Sequence, residues 1–186
     1  YKWASYSISS SPTQKGLLEF AINDGSPEGV SHYAFQCRVG DELKVKGPFG
    51  KFLLNEPAFE RFLLIATGTG VAPIVSMLRF LLDSHSKKPI QLFYGFRFED
   101  LFLYREELEG LARAHSTFSF TPIVSRPSTQ WKGVQGHVQS ALKQESFAEK
   151  EKTGVYLCGR PPIVEEIVST LKELGFPQEN VFFEKW

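Results

Sequence analysis

The sequence predicts a β-rich first part followed by an α/β part built on a five-stranded parallel sheet. In the first part, short strand-like runs are separated by segments that contain glycine and proline. In the second part, apolar strand candidates alternate with helical patterns. This alternation is typical of a parallel sheet with helices on both faces. We place the boundary at residue 57, which divides the chain into domains 1–57 and 58–186.

The elements follow from hydrophobic periodicity and from turn residues. The strand-like runs of the first part are Ser5–Ser9, Gly16–Ile22 and Glu42–Lys46. The predicted strands of the second part are Phe62–Ala66, Ile90–Tyr94, Phe118–Val124, Val155–Cys158 and Val181–Glu184. The predicted helices are Pro73–Ser84, Asp100–Ala114, His137–Gln144 and Pro162–Leu174, and residues 125–136 are predicted to form a long loop or lid.

Composition excludes several classes of function. The chain has 186 residues, 42% of them apolar, and its 21 basic residues balance its 21 acidic ones. A neutral chain gives no argument for binding nucleic acid, and its apolar runs are too short to span a membrane. The two cysteines and four histidines show no metal-ligand spacing. We therefore expect a reduced, cytoplasmic protein without a metal site.

The stretch from Thr67 to Pro73, "TGTGVAP", joins a buried strand to a helix. Its glycines, Gly68 and Gly70 on either side of Thr69, allow backbone amides to approach an anion, which a helix N-terminus also favours. Pro73 suits the first helical turn. The stretch predicts a phosphate cradle, although a tight strand–helix turn without a ligand would have the same pattern.

Another stretch lies at the end of a strand at the same predicted edge of the sheet. Cys158 ends a strand before Gly159, Arg160 and Pro161, at the edge where ligands bind in open α/β sheets. A buried structural cysteine is the alternative.

The segment after the third strand carries cations. Ser125 and Arg126 follow that strand, Lys132 lies nearby, and no acidic residue occurs from Thr121 to Gln139. Cations suit a 2′-phosphate, so this segment favours NADP(H) over NAD(H). A solvated loop is the alternative.

Together these stretches resemble the ferredoxin–NADP reductase superfamily, which joins a flavin-binding antiparallel β-barrel to a nicotinamide-binding parallel sheet. The resemblance runs the whole length of the chain in the family's order. Its motifs are Tyr6-Ser7, "EGVS" at 28–31, "GPFGKF" at 47–52, "GTGVAP" at 68–73, "YGFR" at 94–97, "CGRPP" at 158–162 and the terminal "EKW". Each motif alone is weak, and their order and spacing make the resemblance specific.

The resemblance implies a flavin-dependent oxidoreductase that transfers hydride between NADP(H) or NAD(H) and FAD, with FMN as the less favoured flavin. It also implies a redox partner such as ferredoxin, flavodoxin or an oxygenase component. The implied catalytic residues are Ser7, Cys158 and Glu184. The implied flavin contacts are Tyr6, Ser7, Ile8, Ser9, Gly29, Val30, Ser31 and Trp186. The implied nucleotide contacts are Thr67, Gly68, Thr69, Gly70, Pro73, Arg97, Ser125, Arg126, Cys158, Gly159, Arg160 and Pro161.

The sequence departs from the family at two points. Ala4 stands where the family has an arginine that pairs with flavin phosphate. The family's further barrel strands before the tyrosine–serine pair have no counterpart before Tyr6, so we expect an N-terminally incomplete barrel. Either residues precede Tyr1 or the barrel is completed by another route. These departures keep a second interpretation open, a non-catalytic nucleotide- or partner-binding subunit of a larger complex.

Overall fold

A computed structural model of the chain describes residues 2–186 and contains six strands and five α-helices. The strands are β1 Arg61–Thr67, β2 Ile90–Phe96, β3 Phe118–Val124, β4 Val134–Gln135, β5 Thr153–Gly159 and β6 Val181–Lys185. The helices are α1 Val30–Gln36, α2 Val71–Asp83, α3 Arg105–Ala114, α4 Val138–Gln144 and α5 Pro161–Glu173. No helix in this described part of the chain is long and apolar enough to cross a membrane.

The six strands form one parallel sheet in the order β4-β3-β2-β1-β5-β6. The predicted number of five strands is therefore wrong by one. The additional strand, β4, lies in the segment predicted as a loop and pairs with the end of β3. It has two residues, too few for a period-two pattern to show in the sequence.

Helices cover both faces of the sheet, as predicted. Alternate residues of each strand point to opposite faces. In β1, Leu64 and Ala66 pack in the core on the side of α2 and α3. Leu63 and Ile65 pack in the core on the side of α4 and α5. The carboxyl ends of all the strands consequently meet at one edge, which lies between the two helical layers.

The first part of the chain forms a barrel only in part. The runs Ser5–Ser9, Gly16–Ile22 and Glu42–Lys46 are not continuous strands in the described structure. They make one antiparallel bridge, between Ile8 and Phe20, with the Ser9 amide 2.8 Å from the Glu19 carbonyl. A strand needs a neighbour for its backbone groups, and the described residues of these runs provide only this pairing. The two-domain division at residue 57 stays a prediction.

Candidate functional site

The glycine turn between β1 and α2 lies against the end of β5. Gly68 to Gly70 form a short 3-10 turn, and Gly68 has a φ of +56°. A Cβ added to Gly70 would lie 2.5 Å from the carbonyl oxygen of Cys158. Only glycine fits this approach without displacing backbone. Thr69 lies between the glycines, and Pro73 is buried in the first turn of α2.

The end of β5 approaches β1 equally closely. A Cβ added to Gly159 would lie 2.2 Å from the Thr67 hydroxyl oxygen. This oxygen is buried and has no hydrogen-bond partner among the described residues. A buried hydroxyl without a partner costs free energy. The two close backbone approaches therefore lie side by side at the carboxyl edge of the sheet, and we call this part of it the glycine edge.

The N-terminal segment meets this edge through Ser7. The Ser7 hydroxyl donates to Oε2 of Glu184 over 3.0 Å. Glu184, on β6, is the register partner of Cys158 on β5. The three predicted catalytic residues thus form one cluster, although they come from the two ends of the chain.

Cys158 is a neutral thiol at neutral pH. It is fully buried, and burial, with a smaller contribution from the Glu184 carboxylate, raises its pKa to about 12. A thiolate is the reactive form of cysteine. The environment therefore suits a non-ionised contact and does not suit a nucleophile.

Aromatic residues border the same cluster. The Trp186 amide donates to the Gly159 carbonyl over 3.3 Å. A Cβ on Gly68 would lie 4.0 Å from Cζ2 of the indole, so the indole lies beside the glycine turn and is half exposed. Tyr6 is partly buried, directly before Ser7.

The remaining predicted flavin residues fall into two groups. Ile8 forms the bridge to Phe20, and the Ser9 hydroxyl donates to Oε1 of Glu19 over 2.9 Å. Gly29 to Ser31 form the start of α1, where Gly29 is the N-cap residue and Val30 the first helical residue.

The predicted nucleotide residues that follow β2 and β3 lie next to each other. The Arg126 amide donates to the Arg97 carbonyl over 2.9 Å, and the Ser125 amide donates to Phe96 over 3.0 Å. Both arginine side chains are exposed. Arg160 and Pro161 begin α5, beyond Gly159 on the other side of the glycine turn. The structure thus distributes the nucleotide residues along the whole carboxyl edge.

Two residues near these groups were not predicted. Glu99 accepts a hydrogen bond from the Ser128 amide over 2.9 Å, and bonds from the Ser128 side chain and amide lower its pKa. The Glu99 carboxylate, in the loop after β2, therefore contacts the segment from Thr121 to Gln139, which has no acidic residue of its own. The Lys2 ammonium donates to the Glu28 carbonyl over 2.8 Å, beside Gly29. In an extended chain, side chains two positions apart lie on the same face, so Lys2 shares a face with Ala4. This spacing was the signal in the sequence that could have identified Lys2.

A strand, a glycine-containing turn and a helix at the carboxyl edge of a parallel sheet are features of a site for a phosphate-bearing nucleotide. The fold and the site therefore indicate a nucleotide-binding protein.

Comparison with known proteins identifies the family. The oxidoreductase NAD-binding domain family matches residues 64–169, and the oxidoreductase FAD-binding domain family matches residues 1–53. The chain belongs to the ferredoxin reductase-like flavoprotein superfamily of FAD- and NAD-binding electron-transfer oxidoreductases.

Curated relatives cover nearly all of the chain. It is 33% identical over 187 residues to the anthranilate 1,2-dioxygenase electron transfer component of Acinetobacter baylyi. The match covers 99% of this chain and 53% of that protein. It is 31% identical to ferredoxin–NADP reductase B of Sorangium cellulosum, over 97% of this chain and 77% of that protein. The chain thus spans about half the length of the first of these relatives.

Solved structures share the fold. A ferredoxin–NADP⁺ reductase variant from Plasmodium falciparum, crystallised with 2′P-AMP, has a TM-score of 0.77 and 26% identity. The match covers 97% of this chain and 75% of that one. The FAD/NAD-binding domain of a Vibrio cholerae nitric oxide dioxygenase has a TM-score of 0.84 over 97% of this chain and 76% of that one. Its identity is 23%, and it shows the fold alone.

Proposed function

We propose that the protein transfers hydride between a nicotinamide nucleotide and a bound FAD, and exchanges electrons with a one-electron carrier. The hydrogen bond between Ser7 and Glu184 carries this proposal. It joins the part of the chain that matches the FAD-binding family to the carboxyl edge of the sheet, next to the glycine edge. The relatives named as reductase and electron-transfer components support the same class of activity.

The chain's own residues would orient the two cofactors. The flavin supplies the hydride-accepting ring, and the nicotinamide supplies the hydride. Tyr6 would lie against one face of the flavin ring and Trp186 against the other. The Ser7 hydroxyl has one proton, which it donates to Glu184 here and would turn towards the accepting atom of the flavin.

Residues of the sheet edge would hold the nucleotide. Gly68, Gly70 and Gly159 would let the nucleotide approach the backbone, and Thr67 would support the turn from the end of β1. The half-exposed Trp186 indole would have to move aside to admit the nicotinamide. Cys158 would contact the nicotinamide as a neutral thiol.

The assay of this proposal is cofactor uptake followed by reduction. The purified protein should bind added FAD and show flavin absorbance, and NADPH or NADH should bleach that absorbance under anaerobic conditions. A protein that takes up no FAD would contradict the proposal. Nucleotide binding and FAD uptake without bleaching would favour the alternative function, a non-catalytic subunit. This alternative rests on Ala4, which stands where the family has an arginine that pairs with flavin phosphate.

NADP(H) is the proposed nucleotide. The exposed side chains of Arg97 and Arg126 lie at the ends of adjacent strands, where the 2′-phosphate would bind. A charge-assisted hydrogen bond of about 1.5–3 kcal/mol would make the Arg126→Ala variant about 10- to 100-fold less efficient with NADPH. Its efficiency with NADH should not change.

Arg105→Ala is the control, since Arg105 is exposed and pairs with Glu109 on α3. It should leave the efficiencies with both nucleotides unchanged. An unchanged NADPH/NADH preference in Arg126→Ala would refute the assignment of NADP(H) to this edge.

A further inference from the structure

One face of α2 is polar and holds the serine-rich segment 9–13. Its residues Ser76, Arg79 and Asp83 share a helical face by their spacing. The Ser76 hydroxyl donates to the Ser10 carbonyl over 2.8 Å, and Arg79 Nη1 donates to the Ser9 carbonyl over 2.8 Å. The Thr13 hydroxyl donates to the Asp83 carboxylate. The segment is therefore attached to α2 at three successive points.

Arg79 is the centre of this contact. Its Nε and Nη2 donate to the two oxygens of Glu107, each over 2.7 Å. Its Nη1 is shared between the Ser9 carbonyl and Oε1 of Glu19, at 3.2 Å from the latter. Its guanidinium lies 5.3 Å from the centre of the Tyr104 ring. With 12% of the side chain exposed, Arg79 is held in one orientation by α3 while it binds the N-terminal segment.

The first three residues of the segment that Arg79 holds are buried. Ser9, Ser10 and Ser11 are at most 3% exposed. Burial raises the pKa of Glu19, but hydrogen bonds from Ser9, Tyr104 and Arg79 outweigh it and lower the pKa. Glu19 is therefore ionised at neutral pH and completes a charged contact between the segment and Arg79.

This contact connects the two halves of the proposed site. Ser7 lies two residues before Ser9, and α2 begins directly after the glycine turn at Gly70. Ser7, Ser9, Arg79 and α2 thus form a short connection from the flavin side to the nucleotide turn. Hydride transfer needs reacting atoms about 3–3.5 Å apart, and a displacement of about 1 Å can cost about a hundredfold in rate.

We propose that Arg79 is a positioning residue for hydride transfer, which fixes Ser7 relative to the glycine turn by clamping the Ser9 carbonyl onto α2 and α3. This inference rests on the proposed function. It assigns Arg79 no contact with either cofactor. Its effect should therefore appear in the rate of hydride transfer and not in cofactor affinity.

The test compares Arg79→Ala with Arg61→Ala. Arg61 also pairs with a sequence-distant glutamate, Glu149, at 2.9 Å, but it lies at the amino end of β1, opposite the glycine edge. Without cofactors, Arg79→Ala should speed hydrogen exchange of the backbone amides in segment 9–13. When the variant is loaded with FAD, saturating nucleotide should reduce its flavin about 10- to 100-fold more slowly than it reduces the flavin of the unaltered protein. Its nucleotide KM should stay within about threefold of that of the unaltered protein.

Arg61→Ala should have the same hydrogen-exchange rates in segment 9–13 and the same rate of flavin reduction as the unaltered protein. Unchanged exchange or an unchanged reduction rate in Arg79→Ala would overturn the proposal. Equal losses in both variants, or a raised KM at an unchanged rate, would overturn it as well.

Arg79→Lys keeps the test decisive if Arg79→Ala does not fold. Lysine retains the charge but lacks the planar fork that engages Glu107 and Ser9 together. We expect it to fold and to show a smaller loss of rate, about three- to tenfold. A rate equal to that of the unaltered protein would overturn the clamp. Failure of the unaltered protein to bind FAD, or to be reduced, would instead overturn the proposed function.

Discussion

Replacing Gly70 by alanine should destabilise the protein by about 3 kcal/mol, at the upper end of the cost of overpacking. The added Cβ would lie 2.5 Å from the Cys158 carbonyl oxygen, 2.7 Å from its carbon and 3.0 Å from the Gly159 nitrogen. All three are backbone atoms of β5, a strand held between β1 and β6, so none can rotate away. Gly70 itself has φ −60° and ψ −8°, which alanine adopts freely. The whole loss therefore arises from the close approach.

Thermal unfolding followed by circular dichroism measures this effect. For a chain of this size, about 3 kcal/mol lowers Tm by about 6–12 °C. Nucleotide affinity should fall as well, because the turn must move away from β5 to relieve the contact.

Gly110→Ala is the matched control. Gly110 lies inside α3, and its nearest heavy atom, Arg113 Nη2, is 4.0 Å from an added Cβ. Alanine is favoured over glycine in a helix by about 1 kcal/mol, so this variant should melt at a slightly higher temperature. If Gly70→Ala melts at the temperature of the unaltered protein, the packing of the turn against β5 is looser than described, and the reasoning fails.

The neighbouring groups give two further predictions. Ser7→Ala should slow flavin reduction by about a hundredfold in stopped-flow measurements without lowering Tm much, and an unchanged rate would remove Ser7 from the mechanism. At about pH 8, a thiol reagent should label Cys37 and leave Cys158 unlabelled until the protein unfolds, because the Cys158 pKa is raised to about 12. The raised pKa also means that stability contributed by the Cys158 thiol is full below about pH 9 and is lost as pH rises towards 12. The difference in unfolding free energy between the unaltered protein and Cys158→Ala should shrink over that range, and rapid labelling of the folded protein at Cys158 would contradict both expectations.

The parallel sheet could be predicted because its strands and helices have strong local patterns. Buried parallel strands are continuous apolar runs, such as Phe62–Ala66, and the helices between them have one apolar face. The strands of the first part could not be predicted in the same way. A strand forms only when a neighbour accepts its backbone hydrogen bonds, and within the described residues Ile8 and Phe20 alone form such a bridge.

The candidate site was predictable where it depends on the ends of strands. The motif at Gly68–Gly70 follows β1 and the motif at Cys158–Gly159 ends β5, and these strands are adjacent in the sheet, so topology alone brings the two motifs together. The contacts of Glu99 with Ser128 and of Arg79 with Ser9 join residues that are 29 and 70 positions apart. No local pattern encodes such pairs, because they depend on how loops and helices pack after the sheet has formed.

The hydroxyl-rich composition of the N-terminal segment is explained by the acceptors around it. Three of its hydroxyls each donate to a carboxylate on a different part of the fold. The pairs are Ser7 with Glu184, Ser9 with Glu19, and Thr13 with Asp83. An apolar strand-forming residue at these positions would remove one hydrogen-bond donor from a carboxylate, which costs free energy where the carboxylate is partly buried. The serines are therefore required by tertiary contacts, and their number does not identify a catalytic residue. Ser7 differs from the others because its carboxylate partner lies at the carboxyl edge of the sheet, beside Cys158.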